Sequence, residues 1–215
     1  MAVAVSLSAL IAYLLGSILF GVVITKKMKG IDPREYGSNS AGTTNVIRIA
    51  GAKAGIPTFL LDVLKGTLSV FIAAMIAKIF KVSPELPVEV ASVFVMLGHI
   101  FPIFFGFNGG KGVATFAGAS LLINPMITLI ILIFAIVLIA LTNMVSIASI
   151  TIAILYPILM MFLQSQNTKI VGSGKSYVIM GIIVAIIILI SHRENISRLK
   201  SGKENAITVS EESND

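Results

Sequence analysis

Long apolar runs separated by short polar stretches make up most of this 215-residue chain. A helix that crosses a bilayer needs about 20 mostly apolar residues, so each long run predicts a membrane span. The clear runs are Val3–Ile24, Ala54–Ile79, Val88–Phe107, Met126–Leu141, Ser146–Leu163 and Tyr177–Ile190. A shorter apolar stretch, from Val113 to Ile123, ends at Asn124-Pro125, which we interpret as a break.

Counting the short stretch as the fourth span gives an all-α polytopic membrane protein with seven transmembrane helices. The alternative for this stretch is a re-entrant segment, because interrupted segments often line polar cavities in membrane proteins. The positive cluster of Lys26, Lys27 and Lys29 follows the first run instead of preceding it. The first run therefore predicts a retained span and not a cleaved signal peptide.

The composition agrees with a membrane protein and excludes several classes of function. Charged residues make up 12% of the chain, against about 25% in soluble domains. The net charge of +6 then indicates orientation against anionic lipid headgroups, and we expect no nucleic-acid partner. The absence of cysteine excludes thiolate nucleophiles, and two histidines far apart make a poor metal site. We expect neither a metal nor an organic cofactor.

The distribution of Lys and Arg predicts the orientation of the spans. Apart from Lys65 within span two, the loops after even-numbered spans hold only Lys78, Lys81, Lys169 and Lys175. The loops after odd-numbered spans hold Lys26, Lys27, Lys29, Arg34, Arg48, Lys53, Lys111, Arg193, Arg198, Lys200 and Lys203. Because positive residues accumulate in cytoplasmic loops, the N-terminus is predicted outside and the C-terminus in the cytoplasm. Residues 1–205 then form one membrane-embedded domain, and the polar residues 206–215 a disordered tail.

The first of three polar segments on the predicted cytoplasmic side runs from Gly37 to Asn45 and is followed by Arg48. Its sequence is Gly-Ser-Asn-Ser-Ala-Gly-Thr-Thr-Asn. Small hydroxyl and amide side chains with two glycines suit a loop that surrounds an anion. Arg48 can supply the bidentate fork that a phosphate needs. A plain polar turn is the alternative.

The second polar segment contains residues 98–102 (Gly-His-Ile-Phe-Pro) and residues 109–112 (Gly-Gly-Lys-Gly), directly before the short apolar stretch. Glycines let the backbone approach a ligand closely, and a helix N-terminus adds partial positive charge. We therefore favour Lys111 as a phosphate ligand over a flexible connector. The glycine spacing differs from that of a Walker A loop, and no Ser or Thr follows the Lys.

The third polar segment follows the last span and reads His-Arg-Glu-Asn-Ile-Ser-Arg-Leu from residue 192 to 199. If it is helical, His192, Asn195 and Leu199 share one face, while Arg193 and Ser197 share another. A basic cap that stops the span would explain the arginines. It would not explain His192 and Asn195.

Two further features lie near these segments. Asp62 and Lys65, at i and i+3 in span two, predict a buried ion pair with a functional or a structural role. Ser146 begins span six, where Ser is often only a helix cap.

The chain has no Gly-x-Ser-x-Gly elbow, and neither histidine has an Asp four or five residues on, so an acyl-enzyme hydrolase and a His–Asp acyltransferase are not supported.

Together the three segments resemble the bacterial acyl-phosphate:glycerol-3-phosphate acyltransferases of the PlsY type. That family has Gly-Ser-Gly-Asn-x-Gly-Ala-Thr-Asn-x-x-Arg in its first loop. Its second has Gly-His-x-Phe-Pro with Gly-Gly-Lys-Gly-Val-Ala-Thr, and its third His-Arg-x-Asn-Ile-x-Arg-Leu-x-x-Gly-x-Glu. Residues 98–102, 109–115 and 192–204 match without exception, and the resemblance extends over nearly the whole chain to about residue 205.

The first loop departs from the family pattern, since Asn39 replaces a glycine, Ser40 an asparagine and Thr43 an alanine. Leu19, in the first span, stands where proline is usual. Asn is among the few non-glycine residues that tolerate a positive φ. We therefore expect the first loop to keep its capacity to bind an anion.

The resemblance implies transfer of a fatty acyl group from acyl phosphate to the 1-hydroxyl of sn-glycerol 3-phosphate, giving lysophosphatidic acid and phosphate. It implies a bacterial plasma membrane, with the active site facing the cytoplasm and membrane lipids around it. The catalytic residues implied are His192, Lys111 and Arg48. The substrate-binding residues implied are Ser38, Thr44, Asn45, Arg48, Gly109, Gly110, Lys111, Gly112, Ser146, His192 and Asn195. Within this set, Thr44 and Asn45 are expected to shape the first loop. For the proton of the hydroxyl, a substrate phosphate oxygen is an alternative acceptor to His192.

Two other functions compete with this one. A transporter of small phosphorylated solutes would share the anion-binding glycines and the broken fourth span, but it predicts internal repeats that the two halves do not show. A non-catalytic membrane scaffold leaves the Gly-Gly-Lys-Gly sequence unexplained.

Overall fold

The computed structural model describes residues 1–164, 167–172 and 174–207, and every element in these ranges is helical. The α-helices are α1 (Ala2–Gly16), α2 (Phe20–Lys29), α3 (Thr43–Ala50), α4 (Ala52–Ile79), α5 (Glu85–Ile100), α6 (Val113–Ile123), α7 (Pro125–Thr142), α8 (Val145–Leu163), α9 (Ser176–Ser191) and α10 (Arg193–Lys200). Two single 3-10 turns, Pro33–Glu35 and Ile103–Phe105, lie in the connections after α2 and α5.

Five helical segments of the described chain are long and apolar enough to cross a membrane. They are Ala2–Lys29, Ala52–Ile79, Glu85–Phe105, Pro125–Thr142 and Val145–Leu163. A sixth forms if α9 and α10, which meet at 60°, are taken as one broken span. The predicted all-helical membrane class is confirmed, whereas a seventh span depends on how α6 is counted.

The first span is broken between α1 and α2, where the sequence predicted one continuous run. Leu19 has a non-helical backbone (φ −90°, ψ 89°), and Ser17 Oγ donates a hydrogen bond to Tyr13 O at 2.8 Å. A break inside a membrane leaves carbonyl groups that need other partners. Lys65 Nζ supplies them, since it donates to the carbonyls of Gly16 (3.1 Å) and Ile18 (2.8 Å).

Helix α6 is short, and the break that follows it confirms the prediction. Its 11 residues extend about 16 Å, half of the roughly 30 Å of a hydrocarbon core. Asn124, fully buried, caps α7 by accepting a hydrogen bond from Ile127 N at 3.0 Å. Its Nδ2 donates to Leu163 O (2.8 Å) and Asn167 Oδ1 (2.9 Å), which fixes the break against the end of α8.

Close helix pairs hold the centre of the fold. Helix α1 packs along α5, and α4 packs along α6. A Cβ added to Gly16, Gly66, Gly98 or Gly118 would lie 1.9–2.2 Å from a carbonyl oxygen of the facing helix. Small residues allow such an approach between membrane helices. Helices α5 and α6, which flank the second polar segment, are thereby fixed in position.

The outer surface of α7 suits contact with lipid. Only Ile127, Thr128 and Ile131 of this helix are buried. Large apolar side chains cover the rest, and Leu129 and Leu141 are 57% and 78% exposed. An apolar surface of this extent agrees with a membrane setting.

Candidate functional site

Asn45 holds the first polar segment in shape. Its Oδ1 accepts a hydrogen bond from Ser38 N at 2.9 Å, and its Nδ2 lies 2.8–3.1 Å from the carbonyl oxygens of Pro33, Tyr36 and Ser40. These contacts take up the whole amide of a side chain that is 2% exposed. These contacts agree with the expected loop-shaping role of Asn45, and direct binding of substrate by Asn45 stays a prediction.

The first segment is also shorter as a loop than predicted, because helix α3 begins at Thr43. Gly42 is its extended N-cap, and the apolar face of α3 packs against the start of α4, which favours the helix. Thr44 and Arg48, at i and i+4, then share a face. Asn39 has a φ of +50°, as expected for a residue in place of glycine.

Arg34 connects the first segment to the second, whereas the sequence pattern indicated it only as an orientation charge. Its Nη1 donates to Phe105 O (2.7 Å) and Asn108 O (2.9 Å), while its Nε and Nη2 pair with the Asp32 carboxylate at 3.0 and 2.8 Å. The Arg34 guanidinium holds the pKa of Asp32 well below its usual range. The spacing of Asp32 and Arg34 around Pro33 was the signal for this turn, since Asp32 caps it.

The glycines of the second segment make its turn. Gly109 N and Gly110 N donate to Ile100 O (3.1 Å) and His99 O (3.0 Å), so these two N–H groups stabilise the turn. A Cβ on Gly110 would lie 2.2 Å from His99 Nε2. Gly109 and Gly110 thus shape the turn before Lys111, and their contact with substrate stays a prediction.

Lys111 follows this turn, and Gly112, with a φ of +79°, is the N-cap of α6. The N–H groups of Lys111 and Gly112 have no hydrogen-bond partner among the described residues. They lie at the N-terminus of α6, where the helix dipole favours negative charge. The Lys111 ammonium donates a hydrogen bond to Asn195 Oδ1, which brings the second segment to the third.

The third segment is helical, as the sequence analysis considered. Asn195 is buried on α10, whereas Arg193 and Ser197 are exposed on another face. Asn195 Nδ2 donates to Glu204 Oε1 at 2.7 Å, and Arg198 Nε donates to Glu204 Oε2 at 3.1 Å. Glu204 was quoted in the family sequence pattern but not proposed as a site residue. Its carboxylate holds Asn195 in place.

His192 lies at the bend between α9 and α10, after the last residue of the span. Its Nδ1 is 2.8 Å from Ile188 O. Because a carbonyl oxygen can only accept, Nδ1 carries the proton and Nε2 presents a lone pair. Burial, and then the charge of Lys111, lower the pKa of His192 to about 4. The imidazole is therefore neutral at pH 7 and can accept a proton.

Lys111 is the centre of a mixed-charge cluster. Burial lowers its pKa, and so do the charges of Arg198 and Arg48, while Glu204 and Glu194 raise it. No group of three or more His, Asp or Glu side chains that could hold a metal occurs in the part of the chain described. The cluster is suited to an anion.

The C-terminal residues pass over this cluster. Arg48 Nη2 donates to Ala206 O at 2.9 Å, and Ile207 N donates to Asn143 O at 2.9 Å. The prediction of a disordered tail began at Ala206, and its part from residue 208 to 215 lies outside the described residues.

The remaining predicted ligands make no such links. Ser146 is 6% exposed, and its Oγ has no hydrogen-bond partner within the described chain. An orphaned buried hydroxyl is uncommon and is often completed by a ligand or water. The side chains of Ser38 and Thr44, both partly buried, are not joined to Lys111 by any hydrogen bond between described residues.

Comparison with known proteins gives this arrangement a context. The family model for glycerol-3-phosphate acyltransferase matches residues 6–202. The chain belongs to the glycerol-3-phosphate acyltransferase family. The resemblance stated from the sequence is thus confirmed, and the protein is an integral-membrane acyltransferase of lipid biosynthesis.

Relatives and solved structures agree over almost the full length. A glycerol-3-phosphate acyltransferase of Clostridioides difficile (strain 630) is 39% identical over 199 residues, 93% of each chain. One of Streptococcus thermophilus (strain CNRZ 1066) is 40% identical, over 92% of this chain and 91% of the relative. The crystal structure of PlsY (YgiH), an integral membrane glycerol 3-phosphate acyltransferase, matches in its glycerol 3-phosphate form with a TM-score of 0.82, 37% identity and 94% coverage of both chains. Its lysophosphatidic acid form gives 0.80, 36% and the same coverage.

Proposed function

We propose that this protein transfers a fatty acyl group from acyl phosphate to the 1-hydroxyl of sn-glycerol 3-phosphate, releasing lysophosphatidic acid and phosphate. The observation that carries the proposal is the convergence of three separate segments on Lys111. Asn195 is hydrogen-bonded to it, and Arg48 and His192 lie within its electrostatic reach. The family membership and the relative in its glycerol 3-phosphate form agree with this acceptor.

The phosphate of the acceptor has a matched set of donors. The Lys111 ammonium and the Arg48 guanidinium provide two positive charges, and charge-assisted hydrogen bonds to phosphate are the strong ones. The N–H groups of Lys111 and Gly112 add two donors at the start of α6, where the helix dipole gives partial positive charge. Ser38 and Ser146 contribute hydroxyls at the edge of the site, and Thr44 lies on the Arg48 face of α3.

The transfer needs no nucleophile from the protein, because acyl phosphate is a mixed anhydride with a good leaving group. The 1-hydroxyl oxygen attacks the acyl carbonyl carbon and forms the ester bond. The bond from that carbon to the phosphate oxygen breaks, and phosphate leaves with the electron pair. His192 Nε2 accepts the hydroxyl proton, while Lys111 and Arg48 stabilise the charge on the phosphate of glycerol 3-phosphate. Positioning and electrostatics supply most of the rate.

The proposed topology has seven spans, with α6 as the short fourth. Under the positive-inside rule, the N-terminus is then outside, and the three polar segments lie on the cytoplasmic side of a bacterial plasma membrane. A site at this interface receives the soluble glycerol 3-phosphate from the cytoplasm and the acyl chain from among the helices and lipids.

Phosphate release by the purified protein in detergent tests the proposal. The expected result is release that requires acyl phosphate and glycerol 3-phosphate together and that falls strongly in Arg48→Ala. Release from acyl phosphate alone would contradict acyl transfer. Movement of glycerol 3-phosphate into sealed vesicles without chemistry would support the transporter instead.

A further inference from the structure

A buried cluster of charged and polar side chains lies beneath the second segment and takes no part in the chemistry described above. Asp62, Lys65 and His99 are 1%, 3% and 3% exposed. Lys65 Nζ lies 2.8 Å from Asp62 Oδ1 and 2.8 Å from His99 Nδ1. The ion pair predicted from the sequence is confirmed, and His99 extends it. Because an ammonium only donates, His99 Nδ1 accepts and the ring proton is on Nε2.

The Lys65 end of the cluster is attached to the break in the first span. The same ammonium donates to the carbonyls of Gly16 and Ile18, on either side of Ser17. It therefore fixes the broken span to α4 by hydrogen bonds that few other side chains could replace. Ionisable groups at membrane depth are costly, so their retention indicates a function or a strict structural need.

The His99 end of the cluster is attached to the turn before Lys111. The imidazole fills the space beside Gly110 so closely that a Cβ there would lie 2.2 Å from Nε2. The carbonyls of His99 and Ile100 accept the N–H groups of Gly110 and Gly109. The turn thus contacts His99 through both its backbone and its ring.

We propose that Asp62, Lys65 and His99 are positioning residues that set the location of the Lys111 ammonium, by holding the Gly109–Gly110 turn against the broken first span. The proposal rests on the proposed function for its consequence, which is the binding of glycerol 3-phosphate. Lys65 stabilises the broken span through the carbonyls of Gly16 and Ile18. A buried ion pair is, however, often no more stabilising than apolar residues of the same size, so fold stability alone does not explain Asp62 and His99. Orientation of the His99 imidazole against the Gly109–Gly110 turn explains them.

The double variant Asp62→Asn/Lys65→Met tests this role without leaving a lone buried charge. We expect it to fold at a lower Tm, because the carbonyls of Gly16 and Ile18 lose the Lys65 donor. The KM for glycerol 3-phosphate should rise about tenfold, the order expected when a charge-assisted hydrogen bond to phosphate is lost. The kcat should change less. Ser69→Ala is the matched control, because its buried hydroxyl bonds only to the Lys65 carbonyl within α4. A folded double variant with the KM and kcat of the parent would overturn the proposal.

A labelling experiment reports the accessibility of residue 111 independently of catalysis. The chain has no cysteine, so Lys111→Cys provides a single thiol for a charged methanethiosulfonate reagent. His99→Leu removes the acceptor for Lys65 and should raise the labelling rate several-fold, while His99→Asn, which keeps an acceptor near the position of Nδ1, should restore part of the slow rate. Equal rates in all three backgrounds would overturn the proposal, even if the double variant does not fold. An inactive parent protein with these labelling differences would instead overturn the proposed function alone.

Discussion

Replacing Lys111 by Met is the sharpest single perturbation of the proposed site. Met keeps the length and the apolar stem of the side chain but removes the ammonium that donates to Asn195. In the proposed site, this ammonium also donates to the acceptor phosphate. Burial and the nearby Arg198 already lower the pKa of Lys111, so its charged form is disfavoured in the folded protein. We therefore expect Lys111→Met to leave the apparent Tm unchanged or slightly higher.

The expected loss of activity follows from the contact removed. A hydrogen bond to a charged group is worth about 1.5–3 kcal/mol. Each 1.4 kcal/mol is tenfold, so kcat/KM for glycerol 3-phosphate should fall by roughly 10- to 150-fold. A loss in KM alone indicates binding of the ground state, and a loss in kcat indicates that Lys111 also stabilises charge in the transition state.

Initial rates of lysophosphatidic acid formation, measured over a range of glycerol 3-phosphate concentrations, give both constants. Lys200→Met is the matched control, because Lys200 is exposed at the end of α10. The control should keep the parent constants. A Lys111→Met protein within twofold of the parent, at the same purity and Tm, would refute the placement of phosphate beside Lys111.

Three further predictions concern the scaffold. Arg34→Ala removes the hydrogen bonds to Phe105 O and Asn108 O. We therefore expect kcat/KM to fall about three- to tenfold, which corresponds to the free energy of about one hydrogen bond. Arg193→Ala, at an exposed position, should match the parent. The pKa of His192 is lowered from 6.5 to about 4, so between these pH values the unfolded chain binds a proton that the folded protein does not. The apparent Tm should therefore decline as the pH falls through this range. His192→Gln should reduce the decline. Gly118→Ala places a Cβ 1.9 Å from a backbone oxygen and should abolish most folded yield, whereas Gly42→Ala, with 3.5 Å to its nearest neighbour, should fold.

The spans were predictable from the sequence because lipid exposure makes whole helices apolar, as in α7 and α8. The break after α6 was predictable too, since Asn124-Pro125 is a helix-start signal within an apolar region. The break in the first span was not, because residues 17–19 lie in a continuous apolar run. The carbonyls of Gly16 and Ile18 at this break accept hydrogen bonds from Lys65, which is 47 or more positions away in sequence.

The candidate site was predictable where one helical face carries it. The spacing of His192 and Asn195 indicated a shared helical face, and the structure has both side chains buried. The loop-shaping role of Asn45 was expected, but its carbonyl partners were not predictable, because an amide can bond to any nearby backbone group. Nor was the contact of Arg34 with the second segment, since it joins residues more than 70 positions apart.

Identification of the product by mass spectrometry is the most direct test of the account. The purified protein is given acyl phosphate and glycerol 3-phosphate, and the lipid and the phosphate are quantified together. We expect 1-acylglycerol 3-phosphate and phosphate in equal molar amounts. Phosphate accompanied by free fatty acid, with glycerol 3-phosphate unchanged, would contradict it.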